Sequence, residues 1–68
     1  MSAWKPEDLR ALEALIDRYT VSGTLEAVAE ICHEKAEHIA SNWQDVRTAK
    51  TWTAVALKIN TLSQKTGI

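Results

Sequence analysis

Cys32 is the only cysteine in a chain of 68 residues, and no other feature narrows the choice of fold as much. A chain this short buries a modest share of its surface and is marginal as a lone domain. Small domains gain support from disulfides, a structural metal or oligomerisation. One thiol cannot close an internal disulfide. The two histidines, His33 and His38, do not form a zinc-finger spacing with it. Self-association is the remaining route, and an apolar content of 46% suits it.

Periodicity predicts an all-α fold. A first helix is expected over about 6–19, opening at Pro6, where the missing N–H costs nothing. Glu7 and Asp8 then sit at the positive end of its dipole. Leu9, Leu12, Leu15, Ile16 and Tyr19 share one face at about 100° per residue. The stretch Thr20-Val21-Ser22-Gly23 reads as a break. A second helix is expected over about 24–41, capped by Ser22, Gly23 or Thr24. Its apolar stripe is Leu25, Val28, Ala29, Cys32, Ala36 and Ile39. Asp45 is a good N-cap for a third helix over about 45–64. That stripe is Ala49, Trp52, Val55, Ala56, Ile59 and Leu62, with Leu57 out of line, and residues 65–68 read as a frayed tail. The expected architecture is a single domain, 1–68, of three short antiparallel helices. Three such helices cannot close a large core, so homo-oligomerisation, as a dimer or higher, is expected to complete a helical bundle.

Charge is uneven. Residues 1–41 hold four basic and eight acidic side chains, whereas residues 42–68 hold four basic and one acidic. A net charge of −1 argues against a general nucleic-acid binder. Helix three is nonetheless basic and threonine-rich. Arg47, Lys50, Thr51, Lys58 and Thr61 can be imagined along a DNA backbone, but acidic helices one and two oppose that attraction. No apolar run approaches the roughly 18 residues of a membrane span, and the opening MSAWKPEDLR lacks the apolar core of a signal peptide. The expected location is therefore cytoplasmic, with no membrane partner.

No catalytic constellation is evident. Glu30 and His33 have the Glu-x-x-His spacing of di-iron bundles, but they lie on the polar side of helix two, where such ligands do not converge. Cys32 is centred on the apolar stripe and reads as a small buried hydrophobe rather than a nucleophile. A non-enzymatic protein without metal or cofactor is expected.

The densest segment is 34-EKAEHIASNWQDVRTAK-50. His38, Trp43, Arg47 and Lys50 fall near the second turn. A helix N-terminus near Asp45 offers free N–H groups, Trp43 can stack a flat ring, and Arg47 and Lys50 can meet phosphate. These four residues are the candidate site for an anionic, ring-bearing ligand such as a nucleotide. If helix two runs one turn further, Trp43 instead falls in line with Leu25 and Cys32 as core, and Asp45 competes with phosphate.

The core 30-EICHEKAEHIASNWQD-45, followed by Ala49-Lys50 and Trp52, resembles a group of short uncharacterised proteins of cyanobacteria, other bacteria and their phages. The resemblance spans roughly residues 24–56 and implies no activity. By size and type alone the chain is also similar to small phage proteins that form helical oligomers and sequester nucleotide immune signals. The functional expectation is a homo-oligomeric helical binding protein that sequesters a phosphate-bearing nucleotide. The alternative is an interaction module whose apolar stripe docks a partner helix, with Leu57 as its outlying contact.

Overall fold

A computed structural model describes residues 3–68. Every regular element among them is helical. Three short antiparallel helices are not what forms. The chain makes one long helix, α1 (Pro6–His38), and one shorter helix, α2 (Val46–Ser63), joined by a π turn, Ile39–Trp43.

The correction has a local cause. The expected break at residues 20–23 is confined to Thr20, at φ 69° and ψ 170°, and helical geometry resumes at once. No loop separates two helices; α1 is a single element with a kink. A straight helix of this length would span about 50 Å, whereas the longest extent of the molecule is 37 Å. The bend is therefore sharp, and it sets residues 6–19 apart as an arm. Leu15 and Tyr19 of the arm border a small cleft with Gly23, Thr24 and Ala27.

Thr20, rather than Ser22, Gly23 or Thr24, serves the restart. Its Oγ1 accepts from Gly23 N at 3.2 Å, and its carbonyl accepts from Thr24 Oγ1 at 2.8 Å. The amide of Ser22 donates to the carbonyl of Ile68 at 2.8 Å. Two donors that a helix start leaves orphaned are thus satisfied. The same bond corrects the expectation of a frayed tail. Gly67, at φ 73°, turns the chain back, and Thr66 Oγ1 donates to the Ile68 carbonyl at 2.9 Å.

The other helix ends follow from their sequences. Pro6 opens α1 after an extended Lys5, with Glu7 and Asp8 in the first turn. Gln44 ends the π turn in the left-handed region, at φ 53° and ψ 29°. Asp45 then caps α2: Oδ1 accepts from Thr48 N at 3.1 Å and Oδ2 from Thr48 Oγ1 at 2.6 Å.

Past the kink, α1 runs antiparallel to α2. The seam between them is made of small residues seven apart. Ser22, Ala29 and Ala36 follow one another on α1; Ala49, Ala56 and Ser63 follow on α2. Ser22 Oγ donates to the Ser63 carbonyl at 2.6 Å and fixes the register. Counting from that pair puts Ala29 level with Ala56 and Ala36 level with Ala49. Ala29, Ala36, Ala49, Ala56 and Ser63 are buried, joined by Cys32. Small side chains let two helices approach closely. They also contribute little apolar area, and no large side chain among the described residues is fully buried.

The apolar stripes expected from the sequence are wider than this seam. Trp52, Ile59, Leu25 and Ile39 are half-buried at its edges, while Val28, Val55 and Leu62 remain exposed. Leu9, Leu12 and Ile16 of the arm are half-buried, and Leu15 and Tyr19 exposed. Among the described residues no helix is long and apolar enough to cross a membrane.

Candidate functional site

The seam divides the surface of the hairpin into two sides, each with a cleft. The larger, about 520 Å³, is lined by Ile31, Glu34, Lys35, His38, Ile39 and Trp52. Its α1 residues fall in rows one turn apart, and Trp52 supplies the wall from α2. Lys35 Nζ lies 5.8 Å from the centre of the Trp52 ring, within range for a cation–π contact. The second cleft, about 300 Å³, lies on the opposite side and includes His33, Glu37, Val46, Lys50 and Thr53.

The four candidate residues are distributed around this frame. His38 borders the larger cleft and Lys50 the smaller, so the seam stands between them. Asn42 Nδ2 lies 3.0 Å from His38 Nδ1 and donates to the His38 carbonyl at 3.1 Å. Trp43 is 73% exposed. The chain does stay helical through it, but in a turn wound wider than an α-turn. The extra width carries the indole away from the line of Leu25 and Cys32, so Trp43 is not core. Arg47 is exposed in the first turn of α2.

Electrostatics at the α2 start are set by Asp45. The side-chain bond from Thr48, then the backbone bond from the same residue, hold its carboxyl below the usual carboxylate range. A carboxylate already occupies the end of the helix where a phosphate would be received.

Along α2 the threonines are turned inward on their own helix. Thr51 Oγ1 donates to Arg47 O at 3.2 Å and Thr61 Oγ1 to Leu57 O at 3.0 Å. Those hydroxyl donors are already used, which weakens a DNA-backbone reading. The ion pair formed among the described residues is Arg10–Glu13, at 2.9 Å on the arm. Glu30 and Glu34 on α1, and Arg47 and Lys58 on α2, are exposed.

Glu30 is exposed and His33 half-buried on the smaller-cleft side. Among the described residues no group of three or more His, Cys, Asp or Glu is placed to hold a metal ion. Cys32 is a buried free thiol in the seam.

Sequence reasoning placed Ile39 and Trp52 on apolar stripes and His38 at the candidate site, but did not bring them together with Ile31 and Lys35, which repeat with Ile39 every four residues, in one cleft. No protein family matches the chain, and neither does any curated protein or solved structure.

Proposed function

We propose that the chain is a non-enzymatic helical binding module that works as a homo-oligomer. One observation carries this reading: the chain exposes far more surface than a compact monomer should. Its accessible surface is 5571 Å², against about 4,300 Å² for a compact monomer of this length. Its radius of gyration is 13.9 Å, against about 11 Å. The buried line is alanine, cysteine and serine, while Ile31, Val55, Leu62, Leu15 and Tyr19 stand exposed. Hydrophobic burial is the main term favouring a folded chain, and a seam of small residues supplies little of it. Association supplies the rest. The buried thiol of Cys32 supports a binding role over a nucleophilic one.

Sedimentation equilibrium over a wide concentration range tests the reading. Self-association at micromolar concentration is expected. A folded monomer at every concentration would return the exposed stripe to a different protein partner.

Capture of a phosphate-bearing ring ligand is a second reading, favoured by the exposed indole of Trp43 four residues before the exposed Arg47. Calorimetric titration with a nucleotide panel tests it. Absence of heat with every member removes it and leaves the association untouched.

A further inference from the structure

We infer that α1 is a two-state hinge at Thr20, and that the tail 64–68 is the latch that holds it bent. With the latch released, residues 6–38 form one straight helix. The inference stands apart from the oligomeric reading and applies to a monomer as well.

The bent state carries a strained residue. Thr20 is at φ 69° and ψ 170°, a region that is essentially glycine-only. The local sequence does not demand this. The segment 16-IDRYTVSGTLEA-27 contains no proline, and the residues on both sides of Thr20 are helical. Gly23 is helical too, so its missing side chain serves space rather than φ. A Cβ there would lie 3.3 Å from the Cβ of Tyr19. In an unbroken helix, residues four apart keep their Cβ atoms about 5–6 Å apart. The close approach of Tyr19 to Gly23 therefore belongs to the bend.

The bend also exchanges hydrogen bonds. In an unbroken helix the amides of Ser22 and Gly23 donate to the carbonyls of Arg18 and Tyr19. Here Ser22 N donates to Ile68 O at 2.8 Å, and Gly23 N to Thr20 Oγ1 at 3.2 Å. Straightening returns both amides to helical acceptors and relieves Thr20. It gives up the Ile68 bond, the Thr20 cap and the half-burial of Leu9, Leu12 and Ile16 on the arm. Gains and losses are of one order, which is the condition for both states to be populated. The seam does not resist the change. Its α1 members Ser22, Ala29, Cys32 and Ala36 all lie beyond Thr20, and the Ser22 Oγ–Ser63 bond belongs to the hairpin in both states.

The latch is a folded turn. Beyond α2, Lys65 N donates to Leu62 O at 2.9 Å, and Gly67 at φ 73° reverses the chain. Thr66 Oγ1 meets Ile68 O at 2.9 Å and Ile68 N at 3.4 Å. This turn aims the Ile68 carbonyl at the second residue after the kink. Latched, Leu15 of the arm and Ala27 of the hairpin line one apolar cleft of about 180 Å³. In the straight helix the same two residues stand about 18 Å apart. The latch thus decides whether that cleft exists.

Pulsed dipolar electron spin resonance on the full chain tests the proposal. Glu7→Cys and Glu37→Cys are spin-labelled in a Cys32→Ala background and diluted in excess unlabelled chain. A straight helix separates these positions by about 45 Å at the Cα atoms, and the bend brings them closer. Gly67→Val acts on φ alone, because a Cβ at Gly67 meets nothing within 4 Å. It should raise the long-distance population about fivefold, the net effect of one hydrogen bond. Gly23→Ala should raise it about fivefold as well, through the helix propensity of alanine over glycine. Thr20→Gly relieves the bent state and should abolish the long distance. Helix content by circular dichroism should hold in all three. Gly67→Val, at an exposed position outside both helices, carries the test if a helix variant fails to fold. Distances moved by Gly23→Ala but not by Gly67→Val would overturn the latch. Distances moved by neither would overturn the hinge.

Discussion

Ser22 Oγ and the Ser63 carbonyl meet at 2.6 Å across the open end of the hairpin. The pair is separated by 41 residues in sequence, and it lies at the end of the seam far from the π turn. Its neighbour bond, Ser22 N to Ile68 O, makes Ser22 a double anchor for the end of the chain. Ser22→Ala should remove the side-chain bond alone and cost about 1 kcal/mol, the usual net value of such a bond. A urea midpoint shift at unchanged slope checks this. The serine-to-alanine change at exposed Ser41 is the control and should be near neutral.

Ala56 is 0% exposed, level with Ala29 at 1%. There is no room for a longer side chain unless the helices separate. Ala56→Leu should therefore destabilise by about 1–3 kcal/mol despite its greater hydrophobicity, read as a lower thermal midpoint. Leu57→Ala, one residue along and exposed, should change the midpoint little.

Thr20 sits in a backbone region that is essentially glycine-only, at a typical cost of about 1–3 kcal/mol. Its hydroxyl recovers part of that by capping Gly23. Thr20→Ala should lose the cap and keep the strain, and so destabilise by about 0.5–2 kcal/mol. Thr20→Gly also loses the cap but relieves the strain, and should be the more stable of the two. That order reverses the ordinary preference for alanine over glycine within helices, which makes paired denaturation of the two variants a direct test of the kink.

Asp45 has a folded-state pKa lowered by its bonds from Thr48. A lowered carboxylate pKa gives stability that is present above the unfolded value, about 3.9, and lost as pH falls toward the folded value. The chain should lose stability below about pH 4 in a way that Asp45→Asn flattens, because asparagine caps comparably without titrating. An Asp45 carboxyl chemical-shift titration with an ordinary midpoint would sink the prediction.

Much of the helical content was legible in the residues. Pro6 and Asp45 mark real starts because capping and the proline effect are local. Ala49, Trp52, Ala56 and Ile59 of the expected α2 stripe are buried or half-buried, whereas Val55 and Leu62 are exposed and Thr53, Asn60 and Ser63 are covered in their place. The count of helices was not legible. Thr20, a β-branched residue, adopts a conformation that propensity assigns to glycine, and Gly23 stays helical; a bend in one residue leaves no loop signature. The seam lay within the expected stripes, except for Ser22 and Ser63, but which members of the stripes would close it was not legible. Hydropathy weights Leu25, Trp52 and Val55 above alanine, whereas packing chose the line Ser22, Ala29, Ala36 for its closeness. Trp43 was placed in two ways by its spacing, and the answer depended on a wide turn that α-helical counting omits. Of the candidate site, Arg47 and Lys50 are both exposed on α2, Lys50 at the edge of the smaller cleft. The separation of His38 from Lys50 by the seam required knowing which face of each helix turns inward.

The kink at Thr20 divides α1 in a way its outline conceals. Residues beyond it are tied to α2 by the seam, the Ser63 bond and the Ile68 bond, so their amides open only when the hairpin opens. The arm before it has only partly buried apolar side chains, so its amides can exchange through a smaller and cheaper opening. One helix by shape should therefore exchange as two units, the arm before the hairpin.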